Sequence, residues 1–171
     1  MAGINPGRLR AMCLMSMMGV VLVVSKEVLA FLPNFELVSF LTIMFTLAFG
    51  RLALGAVGVF LALEGLLYGF GQWWIMYLYI WPLLWLLTWL FRNMQGAVKW
   101  ALFSGLYGLC FGTLCSFVYL PVGGLKMMAA YIASGLPFDL IHCVGNTLLM
   151  LVLYSLRGLL QRLRNSLYSL K

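Results

Sequence analysis

Three polar side chains, Asp139, His142 and Asn146, lie in an otherwise apolar stretch of the chain, SGLPFDLIHCVGN at residues 134–146. Their i, i+3, i+7 spacing places them on one helical face about 60° wide. A carboxylate at the centre of a bilayer costs about 2.5–3.5 kcal/mol on insertion scales, so such a face usually points to a protein interior or a water-filled cavity. Two interpretations follow: the polar wall of an outward-facing pocket, or an internal hydrogen-bond network that fixes helix packing.

The same stretch predicts the start of the last apolar helix. Ser134 is a capping residue type, and Pro137 is tolerated in a first turn. A helix that begins here places Asp139 near its N-terminus, where the helix dipole stabilises a carboxylate.

Other candidate groups precede this stretch. Glu64, followed one turn later by Tyr68, is interpreted either as a second wall of the pocket or as an ion-pair partner of another helix, for example through His142. Aromatic residues crowd the next segment: Trp73, Trp74, Tyr77, Tyr79, Trp81 and Trp85. A membrane-interface belt explains many of these side chains. Because some repeat every four residues, part of the stripe is also suited to stack on a flat ligand ring.

The composition indicates an integral membrane protein with a single all-α domain over residues 1–171. Of its residues 64% are hydrophobic and 9% are charged, whereas about a quarter of a soluble domain is charged. Apolar runs near the roughly 20 residues that cross a bilayer recur along the chain. Six transmembrane helices are predicted, at about 9–25, 36–50, 52–70, 74–91, 99–118 and 135–156. The first is interpreted as a retained helix rather than a signal peptide, because no small-residue cleavage site follows it.

Basic residues predict the orientation of this bundle. Six spans put both termini on one side, and that side carries nine basic residues against two, Lys26 and Lys126, on the other. The nine are Arg8, Arg10, Arg51, Arg92, Lys99, Arg157, Arg162, Arg164 and Lys171. Both termini are therefore expected to be cytoplasmic, in a cell membrane. The net charge of +7 is then a topology signal rather than a nucleic-acid-binding surface.

Several chemistries lack the residues they need. The chain has no G-x-x-x-x-G-K loop, no H-E-x-x-H motif and one histidine, so no ATP hydrolysis, metal site, cofactor or multi-residue catalysis is expected. Its cysteines lie in apolar segments without a C-x-x-C pair and are predicted to be small buried side chains. Glycine-rich faces of the third helix (55, 58, 65, 69) and fifth helix (105, 108, 112) are interpreted as packing surfaces.

Four segments resemble the substrate-binding S components of energy-coupling factor (ECF) vitamin transporters: LPNFELVSFLTIMFTLAFG, EGLLYGFG, YLYIWPLL and GLPFDLIHCVGN. The resemblance runs from about residue 11 to 156. It implies a six-helix protein that captures a vitamin or related micronutrient at the outer face. It also implies partners, a transmembrane coupling subunit and two cytoplasmic ATPases. The family's A-x-x-x-A contact motif is absent from the first helix, which carries Ala11, Cys13, Ser16 and Gly19 at less regular spacing.

The resemblance also implies which residues touch the substrate. The matching positions are Asn34, Glu36, Glu64, Tyr68, Trp74, Tyr77, Trp81, Asp139, His142 and Asn146. Acidic groups outnumber basic ones in the outer half, which favours a cationic or N–H-rich ligand, such as a thiamine-like or aminopyrimidine-like ring, over an acidic vitamin. The alternative is a membrane enzyme or assembly subunit with a polar intramembrane site.

Overall fold

The computed structural model describes residues 5–31 and 36–169, which form helices and turns without β-strands. Eight α-helices follow in chain order, with a 3-10 turn at Phe117–Tyr119 after the sixth. They are α1 (Pro6–Val28), α2 (Val38–Phe49), α3 (Arg51–Tyr68), α4 (Gln72–Leu90), α5 (Ala97–Leu109), α6 (Phe111–Ser116), α7 (Leu120–Leu153) and α8 (Leu156–Ser169). The predicted all-helical bundle is thus confirmed for this part of the chain.

Four helical segments within the described residues are long and apolar enough to cross a membrane: α1, α3, α4 and the run Ala97–Leu153. That last run folds back on itself. A Cβ on Gly105 would contact Thr147, whereas a Cβ on Gly112, further along α6, would contact Asp139, earlier in α7. α7 therefore packs antiparallel to the α5–α6 arm. Together with the short apolar helix α2, the bundle has six apolar passes, which is compatible with a multi-pass membrane protein.

Helix α2 lies at the centre of the bundle. It contacts α1, α3, α4, α5, α7 and α8, and nine of its twelve residues are buried. A helix that is apolar all round is expected to be enclosed by other helices. The core around it contains Phe60 from α3, Ile80 from α4, Trp100 from α5 and Met150 from α7, each fully buried.

The short length of α2 creates a difference in height between neighbouring helices. α2 and α3 meet at the turn on Gly50, where φ is +61°. The twelve residues of α2 rise about 18 Å from this turn, whereas the eighteen of α3 rise about 27 Å. We call the two ends of the bundle the Gly50 end and the Tyr68 end. α2 therefore stops about two thirds of the way up α3, and Glu36 lies at that level.

Helix α7 begins earlier than the sequence predicts. Its bounds run from Leu120, but Gly124 (φ 65°, ψ −164°) is non-helical and divides it at a kink. The uninterrupted helix that carries Asp139 therefore starts just after Gly124 rather than near residue 135. Pro121 occupies a first-turn position, where its missing N–H removes no helical hydrogen bond. The predicted cap is also wrong, because the Ser134 hydroxyl donates to the Tyr131 carbonyl (3.1 Å) within the helix. Pro137 is likewise inside the helix and not in its first turn.

Three further differences concern the last segments and the cysteines. The predicted fifth span is interrupted at Cys110, between α5 and α6. Beyond the predicted sixth span, the chain continues as the amphipathic helix α8, which packs on α2. Leucines at 156, 159, 160, 163 and 167 give its apolar face. Cys115 is buried, but Cys13 and Cys110 are exposed, because their side chains face away from the core.

Candidate functional site

The polar face of α7 lies against the glycine-rich face of α5 and α6. Asp139 and His142 are each 5% exposed and Asn146 is 1% exposed. A Cβ on Gly108 would lie 2.9 Å from both Asn146 Nδ2 and the His142 carbonyl oxygen. The glycines predicted to form a packing surface therefore give the polar face of α7 the room it occupies.

Asp139 is stabilised by the break between α5 and α6. Its Oδ1 accepts a hydrogen bond from the backbone N–H of Gly112 at 2.9 Å. Gly112 lies in the first turn of α6, where backbone N–H groups have no partner within their own helix. The sequence placed Asp139 at the N-terminus of α7, but it lies in the interior of that helix. The N–H groups and dipole that favour its charge belong to α6 instead.

Glu36 joins the start of α2 to the middle of α7. Its two carboxylate oxygens accept from the Ser39 N–H at 3.2 and 3.0 Å, which caps α2. Its Oε1 also lies 3.1 Å from His142 Nε2. One carboxylate thus orients both the short central helix and the histidine of this chain. Hydrogen bonds to a charged carboxylate are stronger than those between neutral groups.

Glu64 pairs with Lys26 of α1. Its Oε2 contacts the Lys26 ammonium group, which also lies 3.5 Å from Glu27 and 4.6 Å from the centre of the Tyr68 ring. The side chain of Glu64 is fully buried, whereas that of Lys26 is 29% exposed. The sequence interpretation of an ion pair between helices is therefore confirmed, but the partner is Lys26 and not His142.

Aromatic rings connect His142 on α7 to the region of Glu64 on α3. The Phe111 ring lies 4.8 Å from His142 and 5.8 Å from Trp81, measured between centroids. Trp81 packs in turn against Tyr77 (5.5 Å) and Phe60 (5.9 Å), and Phe60 lies one turn below Glu64 on α3. The rings therefore form a continuous layer at the height of the polar side chains.

Several buried polar side-chain atoms of the bundle have no hydrogen-bond partner within the described residues. They are Glu64 Oε1, Asn146 Oδ1, Trp81 Nε1 and the hydroxyls of Ser39, Thr42, Thr88 and Ser104. An unpartnered buried polar group costs about 1–3 kcal/mol. Asn146 is only weakly compensated, since its Nδ2 reaches the Ser104 carbonyl at 3.5 Å. Two of these atoms, Glu64 Oε1 and Asn146 Oδ1, can only accept hydrogen bonds, so a molecule with N–H or O–H donors would complement them.

The structure gives less support to a pocket role for the remaining predicted site residues. Trp74 donates its indole N–H to the Leu61 carbonyl at 2.9 Å, so that group serves the fold. Tyr68 is 53% exposed and covers Lys26. Asn34 lies outside the described residues. The pocket role of all these residues stays a prediction.

Sequence reasoning missed two contributors. Lys26 was assigned to topology, because its partner Glu64 lies 38 positions away and nothing local in the sequence marks that pairing. The Gly112 N–H was missed because nothing in the sequence marks the helix break at Cys110. Within the described residues, no group of three His, Cys, Asp or Glu side chains is placed to hold a metal ion.

Comparisons with known proteins found no matching family model, curated protein or solved structure.

Proposed function

We infer that this chain is a multi-pass membrane protein that captures a small water-soluble molecule at its outer face, as the substrate-specific subunit of an ECF-type importer of vitamins or related micronutrients. The observation that carries this proposal is a layer of polar side chains, Glu36, Glu64, Asp139 and His142 (the polar layer), about two thirds of the way up an apolar bundle. Carboxylates from three different helical regions, Glu36, Glu64 and Asp139, lie in it, and two buried acceptors, Glu64 Oε1 and Asn146 Oδ1, have no donor among the described residues. Such an arrangement is expensive for structural purposes alone.

The height of α2 supports a site that opens toward the Tyr68 end. α2 stops about 9 Å below the top of α3, so within the described residues α2 itself does not extend above Glu36. Because Glu64, Asp139, His142 and Asn146 are at most 5% exposed, a ligand that enters from this end would have to displace the side chains that cover them. The apolar aromatic layer beside it supplies the stacking surface that ligand sites commonly contain.

The ligand is expected to be rich in N–H donors or to carry a positive charge. Glu64 Oε1 and Asn146 Oδ1 can only accept hydrogen bonds and lack donors. The carboxylates are already partly compensated, Glu36 by His142 and Glu64 by Lys26. A cationic ligand that contacts Glu36 would therefore replace His142 as its partner, and the imidazole would turn away.

The distribution of basic residues supports an orientation with both termini in the cytoplasm. Arg51 and Arg92 lie at the Gly50 end, as do the arginines of α8, whereas Lys26 and Lys126 lie toward the Tyr68 end. The positive-inside rule then places the Tyr68 end outside. The energy for uptake would come from a coupling subunit and two ATPases, and this chain is proposed to bind without turnover.

The test begins with native mass spectrometry of the protein purified from cells grown in rich medium, to identify any co-purified small molecule. Calorimetric titration with thiamine, as a cationic probe, and pantothenate, as an acidic one, follows. Glu36→Gln and Asn146→Ala each remove one hydrogen bond to the ligand, which costs about 1–3 kcal/mol or about 5- to 150-fold in affinity. Glu27→Gln is the matched control, since Glu27 is an exposed carboxylate at the same end.

Each outcome separates the alternatives. Loss of affinity in both variants, with an unliganded melting curve close to that of the parent, supports the binding site. An unchanged affinity with a collapsed melting temperature identifies the polar layer as a structural network. Chemical conversion of the bound molecule by the purified chain identifies a membrane enzyme instead.

A further inference from the structure

A cavity of about 440 Å³ lies at the Gly50 end, on the opposite side of the bundle from the polar layer. The turn between α2 and α3, the end of α4 and one face of α8 enclose it. Its lining includes three arginines, Arg51, Arg92 and Arg164, together with Trp89 and Tyr168. The rest of the lining is mostly apolar, with Leu47, Phe49 and Leu52 among its side chains.

The three arginines have no carboxylate partner among the residues that the structure describes. Arg164 donates to the Ala48 carbonyl at 3.0 Å, and Arg92 donates to the Trp89 carbonyl at 2.9 Å. These bonds orient the guanidinium groups but leave their charge uncompensated. Glu64, the acidic residue of α3, lies about 20 Å up that helix from Arg51. Among the residues that the structure describes, no acidic side chain therefore opposes the positive potential in the cavity.

The backbone adds to this positive potential. Helix α3 begins at Arg51 and has no side-chain cap, so its first N–H groups and the positive end of its dipole lie at the cavity. Gly50 allows this geometry because its φ is +61° and a Cβ would lie 3.0 Å from the Trp89 ring. Arg92 stacks on the same ring at 4.4 Å, which fixes its guanidinium plane.

We propose that this cavity binds a phosphate-bearing ligand, the headgroup of an anionic phospholipid. Guanidinium groups bind phosphate oxygens in a bidentate manner, and a helix N-terminus adds backbone donors. A lipid fits better than a soluble phosphate because exposed apolar side chains adjoin the cationic lining. Leu90 and Phe91, next to Arg92, are 62% and 52% exposed, and Leu163, next to Arg164, is 49% exposed. These side chains are positioned to contact acyl chains while the arginines hold the headgroup.

The experiment is native mass spectrometry of the full chain released from detergent with added phosphatidylglycerol or phosphatidylcholine. We expect one tightly retained phosphatidylglycerol and no comparable adduct with phosphatidylcholine. Each basic residue near a membrane surface contributes about fivefold to affinity for anionic lipid. Arg51→Gln and Arg92→Gln should therefore each weaken retention about fivefold. Arg162→Gln, which makes the same charge change on α8 outside the cavity lining, is the matched control and should retain the lipid.

A second arm separates the two sources of phosphate. Inorganic phosphate is added at millimolar concentration to the parent protein. If it displaces phosphatidylglycerol and its own binding depends on Arg51 and Arg92, the site recognises phosphate as such, which supports the shared chemistry and identifies a soluble ligand as a competitor. Equal retention of both lipids, or equal loss in all three variants, overturns the proposal. Melting curves of each variant show that the fold is retained, and Arg51→Lys, which keeps the charge but loses the bidentate geometry, should give an intermediate retention.

Discussion

The pair formed by Lys26 and Glu64 gives the sharpest prediction about stability. Glu64 is fully buried, its Oε2 contacts Lys26, and its Oε1 has no partner. Lys26→Met therefore leaves a buried carboxylate with no counter-charge. Breaking a buried pair in this way costs about 3–5 kcal/mol. Because the lysine side chain is 29% exposed, and water already compensates part of its charge, we expect the lower limit, about 3 kcal/mol.

The reverse substitution should cost much less. In Glu64→Gln, the lysine stays next to Glu27 at 3.5 Å and keeps its access to solvent, so the loss is about 1 kcal/mol, the value of one hydrogen bond. The double variant has no buried charge left, and we expect it to lose about 1–2 kcal/mol rather than the additive 4.

The measurement is the free energy of unfolding by sodium dodecyl sulfate in mixed micelles, followed by circular dichroism, for the parent, both single variants and the double variant. Lys126→Met is the control, since Lys126 is an exposed lysine toward the same end without an ion pair in the described structure. The reasoning is refuted if Lys26→Met is no more harmful than Glu64→Gln, or if the double variant loses the sum of the two single effects.

The remaining predictions concern packing, the turn at the Gly50 end and orientation. Gly108→Ala should lower the free energy of unfolding by about 1–3 kcal/mol in the same assay, because the added Cβ would lie 2.9 Å from a backbone carbonyl of α7. Gly58→Ala is the control and should be neutral or slightly stabilising, since a Cβ there meets nothing within 4 Å. Equal effects of the two substitutions would contradict the close packing. Gly50→Ala should lose about 1–2 kcal/mol, since φ is +61° there, and a stable variant would contradict that turn geometry. In a cysteine-free background, Ala30→Cys should react with an impermeant thiol reagent in intact cells and Gln95→Cys should not, and the opposite pattern would reverse the orientation.

Local sequence was sufficient to predict the helical passes and the polar face of α7. Apolar runs of sufficient length fix helices wherever they occur, and Gly50 and Gly69, both with positive φ, end α2 and α3 close to where their residue type predicts. The i, i+3, i+7 spacing of Asp139, His142 and Asn146 required them to share a face in any helix that contains them. Those properties depend on neighbours in the chain, so the sequence expresses them directly.

Partners across the bundle depended on the tertiary structure. His142 meets Glu36, 106 positions away, and Glu64 meets Lys26, 38 positions away. Nothing local in the sequence distinguishes these pairings from the alternative pair of Glu64 with His142. The length of α2 places Glu36 at the level of His142, and the packing of α1 on α3 places Lys26 next to Glu64.

The compensation of Asp139 was likewise decided by packing and not by its own helix. The sequence offered the N-terminus of the last predicted span, but the helix that carries Asp139 begins just after the kink at Gly124, so Asp139 lies in its interior. The free N–H that Asp139 accepts comes from Gly112, and it is available only because α5 ends at Leu109 and α6 begins at Phe111. This hydrogen bond also depends on how α7 packs against α5 and α6, because the glycines of α5 let α7 approach closely. The distance between these helices is a property of the tertiary structure and is not encoded by neighbouring residues in the chain.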